Sequence, residues 1–178
     1  MNAESRSADE EDARLVDAAN RGDRHALETL YERHRDWVGR TALRLTGHRD
    51  DALDVLQETF LYFFRKFPGF EKRARLRTLL YPVVRNLAID AGRRRRRHTA
   101  GARIPELPAR EPRPPADERA ELEARLASLS DGHREVVLLR FADDFALAEI
   151  AAALEIPVGT VKSRLHLALK QLKESGFS

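Results

Sequence analysis

The stretch from Ala148 to Leu172, AEIAAALEIPVGTVKSRLHLALKQL, narrows the folds open to this chain more than any other. Leu147, Ile150, Ala151 and Leu154 recur at helical spacing, and Glu155-Ile156-Pro157 interrupts them. Val161, Leu165, Ala168, Leu169 and Leu172 then form a second stripe. The pattern predicts two helices joined by a tight turn. At about 100° per residue, the second stripe leaves Ser163, His166, Leu167 and Lys170 facing away from the core, with Lys162 and Arg164 on the flanks. A helix-turn-helix of this kind can lay its second helix in a DNA major groove. A helical hairpin with a solvated face shows the same periodicity, so the rest of the chain has to separate the two readings.

Upstream the pattern stays helical. The first 13 residues are polar and acidic and are expected to form a disordered tail. A short helix with Leu15, Val16, Ala18 and Ala19 closes at Gly22, and Asp23 is placed to cap a helix through Leu27, Leu30, Tyr31, His34 and Val38. After the break at Thr46-Gly47-His48, a helix from about Asp50 carries Leu53, Leu56, Phe60, Phe64 and Phe67 as its apolar stripe, until Pro68-Gly69 ends it. A basic loop from Glu71 to Arg77 leads to Thr78, a candidate cap for a fourth helix with Pro82 in its first turn. Between His98 and Ala116 lie five of the eight prolines, the mark of an extended linker. Leu122, Leu126, Leu129, Val136, Val137, Leu139 and Phe141 then lead into the helix-turn-helix. No segment reads as a strand. The predicted fold is all-α: a four-helix unit over 14–97, a Pro-rich linker over 98–118 and a second helical unit over 119–176.

The formal net charge is only +3, but it is unevenly spread. The first fourteen residues carry five acids against two arginines, whereas Glu71 to Arg103 holds eleven Lys or Arg against two acids. That local excess suits a polyanion. With no cysteine, disulfides and thiolate metal sites are excluded, and the six histidines show no metal-ligand spacing. The acidic N-terminus has no apolar stretch of the signal-peptide kind, and no apolar run approaches the roughly 18 residues a membrane span needs, so a cytoplasmic protein without membrane insertion is expected.

In this setting several motifs resemble the extracytoplasmic-function (ECF) sigma factors, the small two-domain members of the bacterial sigma-70 family. RGDRHALETLYERH, DALDVLQETFLYFFRKF and RTLLYPVVRNLAIDAGRR are similar to the successive helices of the family's region two, and LSDGHREVVLLRF followed by AEIAAALEIPVGTVKSRLHLAL is similar to region four. The resemblance runs from about Arg14 to Glu174. It implies a non-enzymatic subunit without cofactor, monomeric when free. Its implied partners are core RNA polymerase (the beta-prime coiled coil and the beta flap), promoter DNA and an anti-sigma factor.

By the same resemblance, polymerase docking falls to Asp51, Asp54, Gln57, Glu58 and Phe60, the three acids sharing one helix face opposite the phenylalanine stripe. Asp50 and Asp51 also suit a helix N-terminus with no partner at all. Capture of the minus-ten element needs cations along a strand and aromatic surfaces for unstacked bases. It falls to Phe67, Phe70, Lys72, Arg73, Arg75 and Arg77 around the loop and to Arg85, Asn86 and Arg93 on the fourth helix. Asn86 can both donate to and accept from a base edge, while Arg85 suits phosphate. The run Arg93 to Arg97 reads equally as a solvated flank or as a phosphate attractor. Reading the minus-35 duplex falls to Thr160 at the helix start and to Lys162, Ser163, Arg164, His166, Leu167 and Lys170.

The chain departs from the family at several points. Leu53 stands where an acid is common, Leu79 where tryptophan is usual, and Leu167 where arginine is frequent, and Pro82 is unusual. Glu155 replaces the turn glycine, at a cost of roughly 1 kcal/mol if it is left-handed. Ala146 replaces a serine cap, with Asp143 or Asp144 as possible substitutes. Two other functions compete: a stand-alone helix-turn-helix regulator, which leaves the acidic helix and basic loop unexplained, and a metal-dependent nucleic-acid enzyme, which needs a convergent ligand cluster.

Overall fold

A computed structural model describes residues 3–99 and 117–174, and among them every regular element is a helix. The chain divides into two units, with the boundary near Arg103. The first contains α1 (Ala3–Asn20), α2 (Arg24–Thr46), α3 (Arg49–Phe64) and α4 (Leu76–Thr99). The second contains α5 (Asp117–Ser128), α6 (Asp131–Phe141), α7 (Leu147–Leu154) and α8 (Val158–Glu174). Almost all of the expected linker lies outside the described residues.

In the first unit α2 is the central helix, packed by α1, α3 and α4. Asp23 caps it as expected, its Oδ1 accepting from the amides of His25 and Ala26, an arrangement worth about 1 kcal/mol. Gly47 ends it at φ 69°, a left-handed position that costs glycine nothing. Leu30, Trp37 and Val38 from α2, Val55 and Phe63 from α3, and Leu80, Tyr81 and Val84 from α4 make up the core.

Three expectations for this unit are corrected. The acidic N-terminus is helical from Ala3, not a disordered tail, because its acids find cations on the body of the unit. Asp9 binds Lys72 at 2.6 Å, Glu11 binds Arg33 at 2.7 Å, and Asp12 binds both Arg33 and His34 at 3.0 Å. The fourth helix begins at Leu76, so Thr78 is a buried residue within it rather than its cap, and Pro82 sits inside a helix that continues past it. The buried face of α3 is Ala52, Val55, Thr59, Phe60 and Phe63, one step round from the expected stripe. Leu53 and Leu61 are 49% and 55% exposed. This helix is apolar over much of its circumference, so periodicity alone did not choose the face that α2 and α4 cover. The arginine run from Arg93 to Arg97 lies within the helix of α4 and is exposed.

The second unit has one small core. Leu129, Val137 and Ala168 are packed by Leu126, Leu165 and Leu172, and Val136, Leu139, Phe145, Ile150 and Val161 are also buried. Arg134 ties the end of α5 to α6 by donating to the carbonyls of Leu126, Ala127 and Leu129 at 2.7 to 2.8 Å. The last carbonyls of a helix lack donors within it, and that of Leu126 is shared between Arg134 and the amide of Leu129 at 3.3 Å. Glu155 is left-handed at φ 55°, as the turn demanded. The cap of α7 is Ala146, whose amide donates to Glu149 at 2.8 Å, so Glu149 of the same helix helps hold its start. Leu122 and Phe141 are exposed, Phe141 by 62%.

Candidate nucleic-acid interface

On α8 the expected polar face is present. Val161 and Ala168 are buried with Leu165 half-buried, and this anchoring turns Lys162, Ser163, His166, Leu167 and Lys170 to solvent. Thr160 is half-buried at the first turn. Its amide donates to the Pro157 carbonyl at 2.9 Å, so its hydroxyl is what it offers a phosphate. The Ser163 hydroxyl donates to the Thr160 carbonyl at 3.0 Å and keeps its lone pairs for an incoming donor. Arg164 is the exception. It is half-buried, and its guanidinium lies on Gly132 of α6, with Nη1 3.3 Å from the point a Cβ there would occupy. It therefore packs against α6 instead of standing on the exposed face.

The loop between α3 and α4 is more constrained than its sequence suggests. Phe63, Phe67 and Phe70 form a triangle of rings with centroids 5.0 to 5.3 Å apart, Phe63 buried and the other two half-buried. Phe70 is thus packed on the core and partly open at once. Its main chain is gripped by Asn20 at the end of α1: Oδ1 accepts from the amides of Gly69 and Phe70 at 2.8 and 3.0 Å, and Nδ2 donates to the Phe70 carbonyl at 2.9 Å. Lys72, expected as a free cation, is only 11% exposed at its side chain and paired with Asp9. Arg73 is exposed but bonded to Glu71 at 2.9 Å. The half-buried Arg77 stacks its guanidinium over Trp37, 5.6 Å from the ring centre, and Arg75 is half-buried at the start of α4. Along α4, Asn86 is exposed beside half-buried Arg85, and exposed Arg93 lies 3.5 Å from Asp90.

The acidic face of α3 is divided. Asp54 and Gln57 are exposed, next to Leu53 and Leu61, and make a mixed polar and apolar surface. Asp51 instead binds Arg95 at 2.9 Å, and Glu58 lies 3.8 Å from Arg94, so both acids turn toward α4. Phe60 is 3% exposed and stacks edge-on against Tyr31 at 4.7 Å, which makes it a core residue and removes it from any contact surface.

One buried carboxyl, Asp12, lies on α1 where it faces α2. Burial pushes Asp12 up, but the hydrogen bond and charge of His34, aided by Arg33, outweigh it and hold the carboxyl below its ordinary value. Among the described residues, no group of three or more His, Asp or Glu side chains could hold a metal ion, and no helix is long and apolar enough to cross a membrane. The second unit also carries an apolar groove lined by Leu122, Leu126, Val137, Phe141, Leu169 and Leu172.

Asp9, Asn20 and Arg134 escaped the sequence reading. Each acts through a contact with another element, and no spacing rule announces such contacts.

Comparison with known proteins agrees with the two-unit division. Residues 30–98 match Sigma-70 region 2, and residues 119–172 match Sigma-70, region 4. The ECF RNA polymerase sigma factor SigL of Mycobacterium tuberculosis is 37% identical over 153 residues, which cover 83% of this chain and 86% of that protein. SigE of Mycolicibacterium smegmatis, also an ECF RNA polymerase sigma factor, is 36% identical over 165 residues; these cover 86% of this chain but 63% of the relative's length. The structure of the sigma factor RpoE from Bartonella quintana, in complex with the anti-sigma factor NepR, superposes with a TM-score of 0.65 at 25% identity, covering 83% of this chain and 94% of that one. With both regions present in order and on separate helical units, the chain belongs to the ECF sigma factors of the sigma-70 family.

Proposed function

We propose that this chain is a non-catalytic, promoter-specificity subunit of RNA polymerase, and that its two units handle two forms of DNA. The observation that carries this reading is the pairing of unlike surfaces in one chain. An aromatic and cationic loop suits unstacked bases, and a polar helix face backed by an apolar stripe suits a duplex groove.

On the second unit, Lys162, Ser163, His166, Leu167 and Lys170 read the minus-35 duplex, with Thr160 on the phosphate backbone. On the first unit, Phe67 and Phe70 receive a base from the opened minus-ten element. Asn86 reads a base edge, and Arg73, Arg75, Arg77, Arg85 and Arg93 follow the backbone. Lys72 stands behind them, its charge offset by Asp9. Core polymerase docks through its beta-prime coiled coil on Asp54, Gln57 and the neighbouring Leu53 and Leu61, with Glu58 at the edge. The apolar groove on the second unit receives an amphipathic element, from the beta flap in the polymerase complex or from an anti-sigma factor in the silenced state. The solved complex of a similar sigma factor with an anti-sigma protein supports the second partner.

Run-off transcription with purified core enzyme on fragmented genomic DNA tests the reading. Discrete transcripts that depend on this chain are expected. Failure to associate with core enzyme, or association without initiation, sinks it. Nanomolar duplex binding by the isolated chain points instead to a stand-alone regulator.

A further inference from the structure

We propose that Asn20 is a positioning residue for strand capture: its side-chain amide sets the main chain of Gly69 and Phe70, and so aims the Phe70 ring at the incoming base. The inference rests on the reading of the loop given above.

Asn20 is the last residue of α1, and Gly69 and Phe70 lie about fifty positions further along the chain. Its amide makes three bonds, all to those two residues: two accepted from their N–H groups, one donated to the Phe70 carbonyl. The peptide groups on both sides of the Phe70 Cα are thereby held, which fixes the direction of its Cα–Cβ bond. From that direction the ring falls within 5.0 Å of Phe63 and 5.2 Å of Phe67, with part of its surface left open. Gly69 precedes it at φ 105°, a conformation open to glycine at no steric cost, so the turn admits the close approach.

No other side chain of this length offers both an acceptor and a donor. Aspartate keeps the acceptor but sets a carboxylate oxygen against the Phe70 carbonyl, alanine keeps nothing, and glutamine is one carbon too long. A loop without this clamp must be ordered by the DNA itself, and that ordering is subtracted from binding. The three bonds serve the loop's main chain and add nothing to the hydrophobic core, so the residue bears on capture more than on stability.

The test uses holoenzyme assembled from core polymerase and the full chain. The probe is a labelled non-template-strand oligonucleotide spanning the minus-ten element of a promoter mapped by run-off transcription. Asn20→Ala is expected to weaken probe binding about tenfold, with Asn20→Asp recovering only part of the loss. Association with core and binding of a minus-35 duplex are expected to be unchanged. In a Phe70→Ala background, Asn20→Ala should add little, because nothing is left to aim. Amide exchange at Gly69 and Phe70 should quicken in Asn20→Ala, a readout taken on the free chain. Unchanged probe binding by Asn20→Ala, a full additional loss in the Phe70→Ala background, or unchanged exchange at both amides overturns the proposal while leaving the sigma-factor reading intact. A wild-type holoenzyme that neither binds the probe nor initiates sinks that reading itself, and the inference with it.

Discussion

The face of α8 and the loop before α4 contain similar numbers of basic and polar candidates, yet they are built in opposite ways. On α8, Lys162, Ser163, His166, Leu167 and Lys170 are exposed because a short apolar stripe, ending in buried Val161 and Ala168, turns the helix. Their direction is a property of the helix itself. In the loop and the first turn of α4, Phe70 is set by Asn20, Lys72 by Asp9 and Arg77 by Trp37, each partner coming from α1 or α2. A helical face is local, whereas a loop takes its shape from whatever holds it. The first surface can meet a stiff duplex without rearrangement. The second is braced by the N-terminal helix, whose Asp9 already occupies Lys72.

The largest expected effect comes from removing the ring on which the loop rests. Phe63→Ala deletes a buried side chain that contacts both Phe67 and Phe70, and it should cost about 3–5 kcal/mol in urea denaturation. Because the loop loses its base, promoter opening scored by permanganate reactivity should fall in the same variant, while minus-35 duplex binding should hold. Equal loss at both elements would break the contrast between the two surfaces.

A smaller effect separates exposed from paired cations. Lys162→Ala should weaken duplex binding and lower the slope of log affinity against log salt by about 1. Lys72→Ala should change that slope far less for the single-stranded probe, since Asp9 already offsets its charge. Asp9→Asn should then steepen the slope by freeing Lys72. If Lys72→Ala behaves like Lys162→Ala, the Asp9 pairing does not persist in the complex.

The smallest effect is on acid stability. The Asp12 carboxyl is held below its ordinary value by His34 and Arg33, so its contribution is complete above about pH 4 and is lost as the pH falls through the lowered value. Asp12→Asn should flatten this limb of the stability profile, measured by thermal melting between neutral and acid pH. An unchanged acid limb would mean that the Asp12 pairs with Arg33 and His34 contribute nothing to holding α1.

The all-helical class, the division into two units, the cap at Asp23 and the outward face of α8 were legible from residue spacing, because each depends on neighbours within a turn or two. That Glu155 is left-handed was settled only by the structure, the resemblance having marked its place as that of a turn glycine. Tertiary packing alone decided the buried face of α3, which carries enough apolar residues to present either of two stripes, and thereby buried Phe63 and exposed Leu53. It also decided that the acidic N-terminus is helical: a charged segment orders only when cations distant in sequence lie opposite it, as Arg33, His34 and Lys72 do. Periodicity specifies which residues share a face, but which face is covered, and which charge is already paired, depends on segments tens of residues away that sequence spacing does not bring together.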